Sequence, residues 1–148
     1  MASVVAVNIS ERKGIVKNPV SEVRLVAGFG IEGDAHGGDW HRQISLLGQE
    51  SIDKMKAGGL PGLTSGQFAE NITTEGLCLY ELPIGTRLKI GPAVVEVTQI
   101  GKECHHHCAI YKKVGSCVMP LEGIFTMVIS EGTVKAGDEI SVLEMPAI

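Results

Sequence analysis

Short runs in which apolar and polar positions alternate recur along the chain, and the three-to-four spacing of an amphipathic helix is scarce. Ser3 to Ile9 (SVVAVNI) is rich in β-branched residues, and Glu22 to Val26 (EVRLV) alternates before a glycine-containing stretch. Gln43 to Leu47 (QISLL) is a compact apolar run, and Ala93 to Ile100 (AVVEVTQI) keeps period two around Glu96 and Thr98. Ile124 to Ile129 (IFTMVI) and Glu139 to Leu143 (EISVL) complete the predicted strands. Two segments, Leu82–Ile90 (LPIGTRLKI) and Gly132–Val142 (GTVKAGDEISV), share a plan of apolar residue, glycine turn and alternating strand. Glycine turning a corner in this way is how a strand joins a small closed barrel. Helix signals are few. Gly48 to Ala57 (GQESIDKMKA) carries Ile52 and Met55 one turn apart and stops at Gly58-Gly59. Cys104 to Val114 is a candidate second short helix, and Gly58 to Gly66 reads as a loop. The expected fold is mostly β: a small closed, mostly antiparallel β-barrel with one or two short helices packed on it.

Composition fits this picture. The 148 residues suit a single domain spanning 1–148, and a chain of that length folds without needing disulfides or metal. Hydrophobic residues at 44% and charged ones at 20% exclude a disordered chain, while 19 glycines and only 4% aromatics point to many turns around an aliphatic core. Thirteen Lys+Arg against 17 Asp+Glu give −4 with no basic run, so neither nucleic acid nor an anionic membrane is an expected partner. No apolar stretch approaches the roughly 20 residues of a membrane span, and the first residues lack the plan of a signal peptide. The expected setting is cytoplasmic, where cysteines serve as thiols, metal ligands or catalysts more often than in disulfides.

Three of the four cysteines fall close together. Gly101-Lys102-Glu103-Cys104-His105-His106-His107-Cys108, followed by Cys117, comes directly after the strongest predicted strand, where a loop held by a rigid barrel would carry a site. Three readings of this cluster stand. Cys104, beside Lys102, His105 and a possible helix start, suits a reactive thiolate. Cys104 and Cys108 at C-x3-C spacing, with Cys117, suit zinc or a softer metal, although structural zinc usually takes two separated pairs and only one tight pair exists here. In the third reading Cys108 and Cys117 are small buried apolar residues, which is the preferred reading for Cys78.

A second constellation runs from Gly28 to Gln43 (GFGIEGDAHGGDWHRQ). It is neither a G-x-G-x-x-G turn opening a helix nor a Walker A loop. Its glycines would free backbone amides next to His36, His41 and Arg42, a combination suited to an anion such as phosphate. The alternative is a long glycine turn in which Asp34 and Asp39 cap the backbone. Glu70 and Asn71 form a weaker feature, either ligand-bonding or part of a turn or edge strand.

Taken together, GIEGDAHGGDWHRQISLLGQESI, FAENITTEG, LPIGTRLKIG, VTQIGKECHHHC, VMPLEGIFTMVI and VKAGD resemble the MOSC domain, named for the C-terminal domain of molybdenum-cofactor sulfurase, in its small stand-alone bacterial form. The resemblance covers about Gly28 to Asp138. It implies a barrel of the pyruvate-kinase type that binds the molybdenum cofactor (molybdopterin) or a related metal–sulfur species. The cysteine it implies is Cys104, as a persulfide sulfur carrier or a metal ligand, and the GD-x-H-x-G signature adds Asp34, His36 and Gly38 to the same pocket. The chain departs from the pattern at Leu121, where a basic residue is expected. Its His105–His107 tract exceeds the pattern as well. No lysine has a pyridoxal-phosphate setting, so that cofactor is not expected.

Three functions follow as expectations. One is sulfur transfer or another molybdenum-cofactor-dependent activity through Cys104, a soft ligand and a nucleophile toward a persulfide, with Cys108 as resolving thiol. Another is a non-catalytic carrier or accessory domain delivering cofactor or metal to a partner. The last is a barrel stabilised by structural zinc. In the first two the expected partners are the small-molecule cofactor and a cysteine desulfurase or molybdoenzyme.

Overall fold

The computed structural model describes residues 2–11, 17–35, 37–57, 70–101 and 122–145. The β-branched run near the N-terminus forms β1 (Ala2–Ile9), on which β2 (Asn18–Val20) pairs antiparallel. Next come β3 (Glu22–Val26), β4 (Gly30–Ile31), β5 (Ile44–Gly48), helix α1 (Gln49–Ala57) and β6 (Ile72–Glu75). A single 3-10 turn at Leu79–Glu81 leads to β7 (Arg87–Ile90), β8 (Ala93–Ile100), β9 (Ile124–Ser130), β10 (Gly132–Lys135) and β11 (Glu139–Glu144).

Seven of these strands close a barrel in the order β1-β11-β7-β8-β9-β5-β6, with β6 returning to β1. All neighbours are antiparallel except β5 and β6, which run parallel with Leu46 opposite Ile72. A parallel pair needs a crossover, and α1 lies in it, packed on the two strands it joins. Ile52 and Met55, one turn apart, are buried there. The two segments of shared plan prove to be neighbours: β7 and β11 pair with Ile90 opposite Ile140, each entered through a glycine of positive φ, Gly85 (98°) and Gly137 (94°). Both positions favour glycine because a Cβ is strained in that conformation.

Alternation along the strands fills the barrel. Val95 and Val97 from β8, Ile124 and Val128 from β9, and Ile44 and Leu46 from β5 meet Val4, Val7, Ile72, Leu88, Ile90 and Ile140 in one aliphatic core. A three-stranded sheet of β10, β3 and β4 adds Val23, Leu25, Ile31 and Val134 to that core. It lies at the end where β8 begins: a Cβ on Gly132 would come within 2.8 Å of the Pro92 ring. The opposite, upper end is where β8 finishes, β9 begins and β5 passes into α1. Gly101 N–H donates to Gly123 O there at 2.6 Å, clamping the two ends of the 102–121 segment. No helix among the described residues is long and apolar enough to cross a membrane. The candidate helix at 104–114 and the loop at 58–66 lie outside the described residues.

Candidate functional site

The glycine-rich stretch is a loop folded on itself. The amides of Glu32, Asp34, Ala35, Gly37, Gly38 and Trp40 all donate to backbone carbonyls, so these six cannot form the anion-binding nest that the composition suggested. Its glycines serve close packing instead. Gly30, at φ 115°, lies so near β5's approach that a Cβ would sit 2.8 Å from Gln43 O. Gln43 in turn offers its side-chain Oε1 to Val128 N–H at 2.9 Å, extending the sheet with a side chain.

Asp34 is fully enclosed. Its Oδ1 accepts from Lys17 Nζ at 2.7 Å and from Ser10 N–H at 3.1 Å, and both charged side chains have no exposed surface. Lys17 also donates to Ser10 Oγ at 3.0 Å. Ala35 N–H donates to Ser10 O at 2.8 Å, so the start of the loop is fastened to the end of β1. Lys17 has no local sequence signal, since its partner lies 17 positions along the chain.

At the other end of the loop, His41 and Arg42 converge on one acceptor. Gln99 Oε1 takes a hydrogen bond from His41 Nε2 at 2.9 Å and from Arg42 Nε at 3.0 Å. Gln99 Nε2 donates to Gly101 O at 2.8 Å, which fixes the amide's orientation and so assigns the proton on His41 to Nε2. The Thr98 hydroxyl is bonded to His41 O, with Phe125 O also in reach at 3.1 Å. Phe125 has the opposite strand parity to the core residues Ile124 and Val128, and its ring carries the Arg42 guanidinium 5.2 Å from its centre. Gln99 was not singled out in the sequence, where the run was taken as alternating through Ile100; in the structure Val97 and Gln99 flank a register shift at the end of β8.

Between these anchors the barrel wall is polar and buried. Asn71 Oδ1 accepts from Ser45 N–H at 3.0 Å, and Asn71 Nδ2 donates to Asn8 O at 3.2 Å. Asn8 N–H donates to Asn71 O at 2.7 Å, and Asn8 Nδ2 reaches Glu70 O and Thr73 Oγ1, each at 3.2 Å. Thr73 Oγ1 donates to Glu70 Oε2 at 2.7 Å. Glu70 and Asn71 have no exposed surface. The two therefore stitch β5, β6 and β1 together. Asp34 thus holds the end of β1, Asn71 joins β1 and β5, and Arg42 meets Gln99 of β8.

A cavity of about 290 Å3 opens at the upper end between α1, the turn after β6 and Glu122. Glu122 accepts from Ser51 Oγ at 2.6 Å and from Lys54 Nζ at 3.0 Å. The hydrogen bond to Glu122 holds the Lys54 ammonium above its ordinary pKa. Lys54 also lies 5.7 Å over the Tyr80 ring. The Tyr80 phenol is pushed up as well, first by its hydrogen bond with the Cys78 thiol. Cys78 is exposed on this rim, which corrects its reading as a buried apolar residue. It follows the Gly76 turn (φ 83°), which carries the chain out of the wall rather than into the core.

His36, Lys102, Cys104, His105–His107, Cys108 and Cys117 lie outside the described residues. Gly38 is described, with φ 154° and its N–H donating to Phe29 O at 2.7 Å. Among the described residues, no group of three or more His, Cys, Asp or Glu is arranged for a metal ion.

The profile of the MOSC domain matches residues 32–141. No curated protein matches the sequence. Among solved structures, the YUAD protein from Bacillus subtilis superposes with a TM-score of 0.79 at 20% identity, covering 96% of each chain. YiiM from Geobacillus stearothermophilus gives 0.74 at 22% identity, over 97% of this chain and 76% of its own. YiiM from Escherichia coli gives 0.72 at 19% identity, over 100% of this chain and 72% of its own. At these identities the likeness establishes the shared fold.

Proposed function

The chain belongs to the MOSC domain family, and on that premise we propose that it binds a molybdenum-cofactor-type ligand and handles sulfur or metal through Cys104. The observation that carries this reading is the convergence of His41 and Arg42 on Gln99, two positions before the glycine that opens the cysteine segment. Cys104 is the third residue after Gly101. The length of the chain therefore keeps the two Cα atoms within about 11 Å.

The donor set fits the phosphate of such a ligand. Arg42 spends only Nε on Gln99, and among the described residues its two Nη groups carry no hydrogen bond. A guanidinium offered in this way is a fork for phosphate oxygens. His41, with its proton on Nε2 fixed by Gln99, is held beside it. Asp34, Glu70 and Asn71 have a different part: they brace the wall and the loop from which Arg42 projects. His36, Gly38 and Lys102 are family-signature or neighbouring positions assigned to the same pocket.

The cofactor, when bound, supplies the metal–sulfur centre. Cys104 supplies a thiolate. In sulfur transfer that thiolate attacks the outer sulfur of a donor's persulfide, the donor's sulfur–sulfur bond breaks and the donor leaves as thiolate, so no oxidant is consumed. A cysteine desulfurase is the class of partner that presents such a persulfide, and a molybdoenzyme is the class that receives the product.

Titration calorimetry with a phosphorylated pterin tests the reading. Arg42→Ala loses about 1.5–3 kcal/mol of binding, the worth of a hydrogen bond to a charged group. Unchanged affinity removes the loop from the site. A purified protein that holds stoichiometric zinc and unfolds when it is chelated would favour the structural-metal alternative.

A further inference from the structure

The cavity at the upper end shares no lining residue with the Arg42–Gln99 contact, and the function proposed above makes no use of it. Its volume, about 290 Å3, is close to the lower bound of small-molecule pockets, about 300–1,000 Å3, and suits a ligand of amino-acid size. Its walls are tied together. Gly76 N–H donates to Glu50 Oε2 at 2.7 Å, and Ser51 Oγ and Lys54 Nζ donate to Glu122 at 2.6 and 3.0 Å. Cys78 opens the 3-10 turn at Leu79–Glu81, its O accepting from Glu81 N–H at 3.3 Å, so the exposed thiol stands on a fixed backbone. The thiol is hydrogen-bonded to the Tyr80 phenol, and Lys54 Nζ lies 5.7 Å over the ring of the same residue. Sulfur and ammonium therefore meet one side chain of the cavity wall.

Beside the thiol the wall offers two opposite charges. Glu50 and Lys54 are one helical turn apart on α1, which makes them neighbours on its surface, and both line the cavity. Glu50 spends Oε2 on Gly76, and among the described residues its Oε1 accepts no hydrogen bond. Lys54, though paired with Glu122, keeps 56% of its side chain in water. An ammonium and a carboxylate on one carbon match such a pair, and that is the zwitterion of an α-amino acid. We propose that the cavity is a modification site for a low-molecular-weight amino-acid disulfide such as cystine, its ammonium on Glu50, its carboxylate on Lys54 and its sulfur on Cys78. The Cys78 thiol gives its proton to water, and the thiolate attacks one sulfur of cystine. A bond from Cys78 to that sulfur forms as the cystine S–S bond breaks, and cysteine leaves as a thiolate that takes a proton from water. Cystine is thus the oxidant, Cys78 is oxidised to a mixed disulfide, and a free thiol reverses the step.

The test compares disulfides on the full chain. Cystine and 2-hydroxyethyl disulfide, which carries neither charge, are each incubated with the protein, and non-reducing peptide mapping reads the rate of adduct formation at Cys78. The ratio of the two rates on the urea-unfolded chain gives the intrinsic preference of the thiol. On the folded chain cystine is expected to be favoured over that reference by about two- to twenty-five-fold, from two exposed ion pairs each worth a factor of roughly 1.5–5. Glu50→Gln, whose amide oxygen still accepts from Gly76 N–H, and Lys54→Met should each remove one such factor. Their unchanged rate with 2-hydroxyethyl disulfide would show that the cavity still stands. A folded-chain ratio equal to the unfolded one overturns the proposal, and the wild type alone decides that. A preference that survives both variants, or no adduct at Cys78, overturns it too. None of these outcomes touches the cofactor reading, which rests on other residues.

Discussion

Replacing Lys17 by Met keeps the buried stem and removes the ammonium that meets the enclosed Asp34 carboxylate at 2.7 Å. Both side chains are at 0% exposure and the contact is 2.7 Å, so water cannot take over the lost partner. Breaking one side of such a pair costs about 3–5 kcal/mol, far more than the pair itself contributes relative to an apolar substitute. At about 3 °C per kcal/mol for a chain of this length, the thermal midpoint falls by roughly 10–15 °C. Differential scanning calorimetry on Lys17→Met, Asp34→Asn and the double variant measures it. The double variant buries no unpaired charge, and the amide oxygen that replaces the carboxylate still accepts from Ser10 N–H. It should therefore be more stable than Lys17→Met alone. A Lys17→Met midpoint within a degree or two of the wild type would refute the claim that this pair fastens the loop.

Gln99→Leu strands two donors and frees the Gly101 carbonyl; it should lower stability by about 1–2 kcal/mol in chemical denaturation and weaken phosphate binding together with it. Gly30→Ala combines a φ of 115° with a Cβ 2.8 Å from Gln43 O, and the backbone strain alone is worth about 1–3 kcal/mol, read as a shifted urea midpoint. Lys54 is held above its ordinary pKa by Glu122, so this contribution to stability is complete below the unfolded lysine value of about 10.4 and is lost as pH rises through the folded one. Glu122→Gln should flatten stability against pH in that alkaline window, and an unchanged alkaline profile would dismiss the coupling.

Strands with strict alternation were legible: β3 and β8 begin and end where the pattern does, and β5 and β9 differ by a residue or two. β6 was not, because Ile72–Glu75 has two threonines in four residues; both are buried, and Thr73 there bonds to Asn8 and Glu70. The two-residue β4 exists through pairing with β3 alone. In the candidate site, Arg42 and His41 were visible as residue types beside glycines, yet what orients them is Gln99, 57 and 58 positions away. The glycines misled in the other direction: they suggested free amides, and the loop uses those amides on itself. Lys17 and Asp34 show the same limit. A buried ion pair is a property of two distant segments meeting, and neither segment carries its mark.

The proposed function rests on sulfur handling at Cys104, and mass spectrometry of the native protein tests that most directly. The protein is treated with a low-molecular-weight persulfide, mapped by peptide, and analysed beforehand for co-purified pterin and zinc. Addition of one sulfur atom to Cys104, in a preparation that carries pterin rather than stoichiometric zinc, is the predicted result. Sulfur on the exposed Cys78 with none on Cys104, or zinc whose removal unfolds the chain, would contradict it.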